Sequence, residues 1–436
     1  MIYLLFFLLV IILIISYLFS EKEICAPSFL FSVSFVFCCA WAVTYANVWE
    51  LDLHIDTFLI VISGVVVFLV VAQVTKYICE RAIPDLSTKE ESHRIFEIKE
   101  WKLIFFIIFE ILTIIAYLKC LKTITGGKSI KEAIFIYRMA ATQNSNQFFF
   151  PRYINYARIV ITSASWIFSF VIVKNFLAKR KIGLLILTAF LFSLINSLLA
   201  GGRSSLISIV VSVLASFLII SVREQGVRGK IGVKHIIIII VVGIIGLQMF
   251  QRLGNLLGRN SSRDLTEYLS IYCGAEIKNL DIFVRTKMNL VDNSTWGGQT
   301  FLSFVRMIKK YTGHADFYMY YDQPHNYVNG KWIGNVATTF YSYLYDFGVA
   351  GMLVLTGIMA VISESVYVFA KRIKMNTHPP MVMIIYSMMF VSLVFAFFSN
   401  WFYETFATTV FIYNIICWLL LSRFFFTEDI KEKKGI

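Results

Sequence analysis

The chain has 436 residues, 58% of them hydrophobic and 15% charged, with a mean hydropathy of +0.72. Water-soluble domains run at about 45–50% apolar and about 25% charged, so this composition excludes a soluble globular protein. Lys and Arg number 40 against 27 Asp and Glu, a net charge of +13. In a chain of apolar runs that excess anchors cytoplasmic loops and is a poor argument for nucleic-acid binding.

The apolar runs, in chain order, are 2–19, 28–46, 57–75, 103–118, 154–173, 183–200, 205–222, 235–250, 346–370, 381–398 and 407–422. Lipid offers the backbone no hydrogen-bond partners, so continuous runs of this length predict helices and not barrel strands. The first run has no basic stretch before it and no small-residue cleavage site after it, so it is expected to be a retained span. Lys174, Lys179, Arg180 and Lys181, then Arg223, Arg228, Lys230 and Lys234, then Lys371, Arg372 and Lys374 mark three connections as cytoplasmic. Residues 76–102, with six more basic residues, alternate onto the same side. The opposite connections 47–56 and 400–406 hold no Lys or Arg. The expected fold is an all-α polytopic membrane protein of about eleven helices (ten to twelve), N-terminus outside and C-terminus inside. Residues 1–436 form one transmembrane domain.

Two long loops then face outward, 119–153 and 251–345. The second is rich in aromatic residues, unlike a disordered linker. Within it Leu265, Tyr268, Leu269 and Tyr272 recur at helical spacing, which predicts one or two interfacial helices over 264–287. The seven cysteines show no CxxC or Cys/His pattern, so neither a metal site nor a disulfide framework is expected.

Arg203, in LLAGGRSSLIS, is the one basic residue in a short outward connection. An arginine at the membrane edge often only snorkels to water; its departure from the charge rule favours a role in binding an anion. The second loop opens with Arg252, Arg259 and Arg263. Each alone could anchor to headgroups, but a guanidinium cluster on the outer side suits a lipid diphosphate, because its planar fork donates two parallel hydrogen bonds. Candidate acid–base groups on that side are His325, Glu276, Asp316 and Asp322, with His314, Glu267 and Glu404 as further possibilities. Asp346, at the outer edge of the ninth span and followed by Gly348 and Gly351, is expected to be structural and paired with one of the arginines.

Four stretches in this order, GGRSSL, YCGAEIKNLDIF, GGQTF and GNVATTFYSYLYDFGVAG, together with the hydropathy profile, resemble the bacterial O-antigen and capsule repeat-unit polymerases. The resemblance covers most of the chain and extends, in architecture, to the O-antigen ligases. It implies an integral-membrane glycosyltransferase in the bacterial cytoplasmic membrane, with its site facing the periplasm or exterior. The implied reaction moves a growing glycan from undecaprenyl diphosphate to the nonreducing end of a new lipid-linked repeat unit, without metal or other cofactor. Implied partners are undecaprenyl-diphosphate-linked oligosaccharides, membrane lipid and a chain-length regulator protein. Arg203 matches the family's arginine after the sixth-span glycines, and Arg263 with Gly274 matches its Arg-x10-Gly spacing. The ligases place His-Asn close before Gly-x-x-Gly, whereas His325 lies over twenty residues before Gly348, which weakens the analogy for a catalytic base. A ligase-type transferase and a flippase of lipid-linked oligosaccharide are the alternatives.

Overall fold

A computed structural model describes residues 1–87, 95–127, 129–142, 148–179, 182–199, 203–224, 264–286, 288, 297–312, 323–375 and 378–426. The first eight helices are α1 (Ile2–Phe19), α2 (Pro27–Thr44), α3 (Ile55–Ala82), α4 (Glu100–Thr125), α5 (Ile130–Thr142), α6 (Arg152–Lys179), α7 (Leu184–Leu199) and α8 (Arg203–Glu224). After them come α9 (Leu265–Cys273), α10 (Ala275–Thr286), α11 (Leu302–Thr312), the strands β1 (Asn326–Val328) and β2 (Lys331–Gly334), α12 (Phe340–Arg372), α13 (Met381–Val394), α14 (Trp401–Phe406) and α15 (Thr409–Phe426). Among the described residues eight helices are long and apolar enough to cross a membrane, and α7 and α13 are shorter apolar helices. The chain is an all-α, multi-pass membrane protein. Ten of the eleven apolar runs coincide with these helices; the run 235–250 lies outside the described residues.

Local sequence sets the helix ends. Pro27 opens α2 where its missing N–H costs nothing. His54 caps α3, its Nδ1 accepting from the Asp56 N–H at 3.3 Å. Gly126 closes α4 in the left-handed conformation. The core runs through the bundle between α2, α3, α6, α8, α12 and α13, where rings such as Phe31, Phe35, Phe68 and Phe340 stack. Large apolar side chains of α1, α4 and α15 stay exposed, as lipid-facing surfaces require.

Contacts between connections sort them onto two ends of the bundle. At one end the Lys76 ammonium meets Glu21 at 2.8 Å and Lys371 meets Glu23 at 2.7 Å. There too the Leu86 N–H reaches the Arg372 carbonyl, the Phe96 N–H reaches Asn175 Oδ1, and Arg223 donates to the Ala370 carbonyl. This is the end that gathers the basic connections. At the other, residues 47–54 meet α10, and Asn400 donates to the Thr300 carbonyl at 2.8 Å. For these described connections the grouping by charge coincides with the grouping by contact.

Polar structure accumulates at this second end, which we call the capped end. The interval 264–286 forms two helices, α9 and α10, with a corner at Gly274. A Cβ at Gly274 would lie 2.7 Å from Trp41 Cβ and 2.8 Å from the Ala42 nitrogen, so only glycine lets the corner seat on α2. Asn329 and Gly330 both have positive φ, 49° and 73°, and join β1 to β2 as a two-residue turn that matches strand twist. Helix α12 is interrupted at Gly348 (φ 63°, ψ −166°), a conformation reserved almost wholly for glycine. Its first two turns join the bundle core, at Phe340, to the cap, at Ser342 and Asp346, and the remainder crosses the bundle beside α3.

Candidate functional site

Helix α10 organises the capped end. The Asp281 carboxylate is buried and accepts the His54 N–H at 2.9 Å and the Thr57 hydroxyl at 2.8 Å, with Arg285 Nε 2.9 Å from its second oxygen. This clamps α10 to the start of α3. Lys278 donates to the Glu50 carbonyl at 2.9 Å, and Asn329 to the Glu50 carboxylate at 2.8 Å, so the 47–54 connection holds both α10 and the hairpin. Partial burial lowers the Lys278 pKa, with Asp281 opposing the shift.

Asn279, also buried, sends its amide N–H groups to the Ile333 and Val336 carbonyls at 3.3 and 2.7 Å. Its oxygen accepts from Asn326 at 3.0 Å. Beside it opens a crevice of about 30 Å³ whose lining includes the carboxamides Asn279, Asn326 and Asn335 and the rings Phe283 and Tyr341. Phe283 and Tyr341 sit 4.6 Å apart between centroids, with Tyr345 behind them. Carboxamides bond hydroxyls as donor and acceptor, and ring faces take the apolar side of a pyranose. At this volume, little more than one water, the crevice accepts a single protruding group and not a whole ring.

The described candidate acid–base residues do not converge here. Glu276, one turn before Asn279, is sealed between α2 and the α9–α10 corner, with the Cys38 thiol 3.8 Å from one oxygen and, among the described residues, no partner for the other. Burial raises its pKa well above the ordinary carboxyl value, which favours the neutral acid over the carboxylate. The neighbouring Cys273 thiol is also raised by burial and then by Glu276. His325 is exposed at the hairpin's base, where its Nδ1 accepts the Trp332 indole N–H at 3.0 Å. A neutral imidazole that accepts at Nδ1 carries its proton on Nε2, so in this geometry His325 offers a donor and not a free base. Asp316 and Asp322 lie outside the described residues, as does His314. Glu267 is half-buried on α9, and Glu404 is exposed on α14.

Of the arginines, Arg203 begins α8 at the capped end, and Arg252, Arg259 and Arg263 lie outside the described residues. Asp346 is buried, but its described partners are not arginines. It accepts the main-chain N–H groups of Gln299, at 3.0 and 3.2 Å, and Thr300, at 2.6 Å. Thr300 Oγ1 donates in turn to the Ser342 carbonyl. A carboxylate that satisfies a turn in this way needs no side-chain cation, and GGQTF is the stretch it holds down.

Sequence reading passed over Asn279 and Asp281. The signal was present, since polar residues interrupt an apolar helical face in GAEIKNLDIF. Arg158, half-buried in α6, bonds Asn196 through Nε and Nη2 at 3.2 Å and lies 4.2 Å from the Tyr117 ring centroid. Fold and site thus define a multi-pass helical membrane protein with a folded polar cap over one end of its bundle. Compared with protein-family models, curated proteins and solved structures, the chain matches none of them.

Proposed function

We propose that the chain is a polysaccharide polymerase of the bacterial cytoplasmic membrane. On this reading it transfers a growing glycan from undecaprenyl diphosphate to the nonreducing end of a new lipid-linked repeat unit, at the outer face. The observation that carries the reading is the crevice of carboxamides and aromatic rings above the bundle end whose connections 47–56 and 400–406 lack Lys and Arg. By the charge rule that end faces outward. The capped end supports the chemistry in three ways. Its crevice suits a substituent of the acceptor sugar, Arg203 at the start of α8 suits a diphosphate, and the bundle's apolar flanks suit the carrier tails. Arg252, Arg259 and Arg263 are assigned to the same diphosphates by their chemistry and place in the sequence.

The test is incubation of the purified protein with a defined lipid-linked repeat unit. A ladder of polymer on a gel is expected, and unchanged single units would overturn the proposal. A second reading, a flippase of the same lipid-linked units, is favoured by one observation: Glu110 and Glu364 are buried carboxyl groups within spans α4 and α12. Deletion of the gene separates the two. Loss of a polymerase leaves single units at the cell surface, and loss of a flippase leaves none.

A further inference from the structure

The opposite end of the bundle carries a second site. On α3 the side chains of Val70, Val74, Tyr77, Ile78 and Arg81 are all exposed. They recur every three or four residues and so form one stripe facing lipid. Between that stripe and α12 lies a groove of about 390 Å³, walled by Val70, Val74, Ile78 and Val361 and floored by Cys79 and Ser365. The Cys79 thiol donates to Ser365 Oγ at 3.6 Å, so the small polar floor is satisfied within itself.

Dimensions decide what fits. From Val70 to Cys79 the groove runs about 14 Å along α3, which leaves a cross-section of about 28 Å² for its 390 Å³. A hydrocarbon chain passes through such a slot, whereas a helix about 10 Å across does not. Arg81 is the penultimate residue of α3, at headgroup depth, while the groove spans most of one leaflet's hydrocarbon, about 15 Å. The guanidinium carbon sits 3.9 Å from the Tyr77 ring centroid, which holds an exposed cation on the lipid-facing stripe one turn beyond the groove-lining Ile78.

We infer that this groove holds one acyl chain of an anionic phospholipid, with the lipid phosphate on the Arg81 guanidinium. The charge one turn beyond the groove selects the headgroup and the slot selects the chain. The site is independent of the transferase reading.

The test uses the purified full chain in detergent, with phosphatidylglycerol and phosphatidylcholine of identical acyl chains as probes and native mass spectrometry to count retained lipid. The unmodified protein is expected to prefer phosphatidylglycerol about fivefold. Arg81→Gln should abolish the preference and keep the residual binding. Val361→Trp, which fills the slot, should lower retention of both lipids, whereas Leu112→Trp on the exposed face of α4 should leave both unchanged. A preference that survives Arg81→Gln overturns the inference. So does equal loss in Leu112→Trp, or a change of oligomeric state in Val361→Trp that shows a second copy covering the groove.

Discussion

Replacing Asn279 by Ala removes the amide that joins α10 to the hairpin. Three groups lose their partner: the carbonyls of Ile333 and Val336 and the side-chain amide of Asn326. At about 1 kcal/mol net for each bond, local opening of the hairpin becomes easier by about 3 kcal/mol. Since 1.4 kcal/mol is tenfold, amide hydrogen exchange over 326–336 should accelerate roughly a hundredfold. Exchange in the spans should stay as it was. Asn279→Asp keeps the size and the acceptor for Asn326 but turns a carboxylate towards two carbonyl oxygens, so it should accelerate exchange further than Ala does. The assay is hydrogen exchange with mass spectrometry on the purified protein. Equal effects of Ala and Asp would show that packing and not hydrogen bonding holds the hairpin, and unchanged exchange in both would refute the account.

Glu276 gives a pH prediction. Burial raises its folded pKa above the unfolded value, so the stability it contributes is complete below the ordinary carboxyl pKa and is lost as pH rises through the folded pKa. Glu276→Gln, which fixes the neutral form, should flatten that decline and raise the melting temperature at neutral pH; parallel melting curves across pH would contradict it. Gly274→Ala forces a Cβ into the Trp41–Ala42 backbone and should cost about 1–3 kcal/mol, read as a lower melting temperature, with an unchanged value contradicting the close approach. Arg203→Ala should abolish polymer while the protein remains in the membrane, and undiminished long-chain product would remove Arg203 from the site.

The spans were legible because the bilayer imposes one coarse requirement, an unbroken apolar run, that a single sequence displays directly. The corner at Gly274 was half legible: helical spacing predicted the helices around it, but only the approach to Trp41 explains the glycine. The hairpin at 326–334 was signalled by Asn329-Gly330 between strand-forming residues, a cue outweighed by the neighbouring titratable groups. Helix α5 falls inside the loop 119–153, where its amphipathic pattern was shorter than a span and went unread. Side-chain roles were the least legible. Glu276 reads as an outward acid until α2 is seen to cover it, and nothing near Asp346 in sequence announces the amides that the 297–300 turn presents to it. Both depend on segments far apart in sequence, which local pattern does not encode.

The interruption at Gly348 has a consequence for how the protein sits in its bilayer. An unbroken α12 of 33 residues would be a rod about 50 Å long, well beyond a hydrocarbon layer of about 30 Å. Severed at that point, the stretch 349–372 alone measures about 36 Å, a length that a modest tilt accommodates. The length that must match the bilayer is therefore that of the lower segment, while the upper one stays held by the amides of the 297–300 turn and by the Phe340 ring against Phe35.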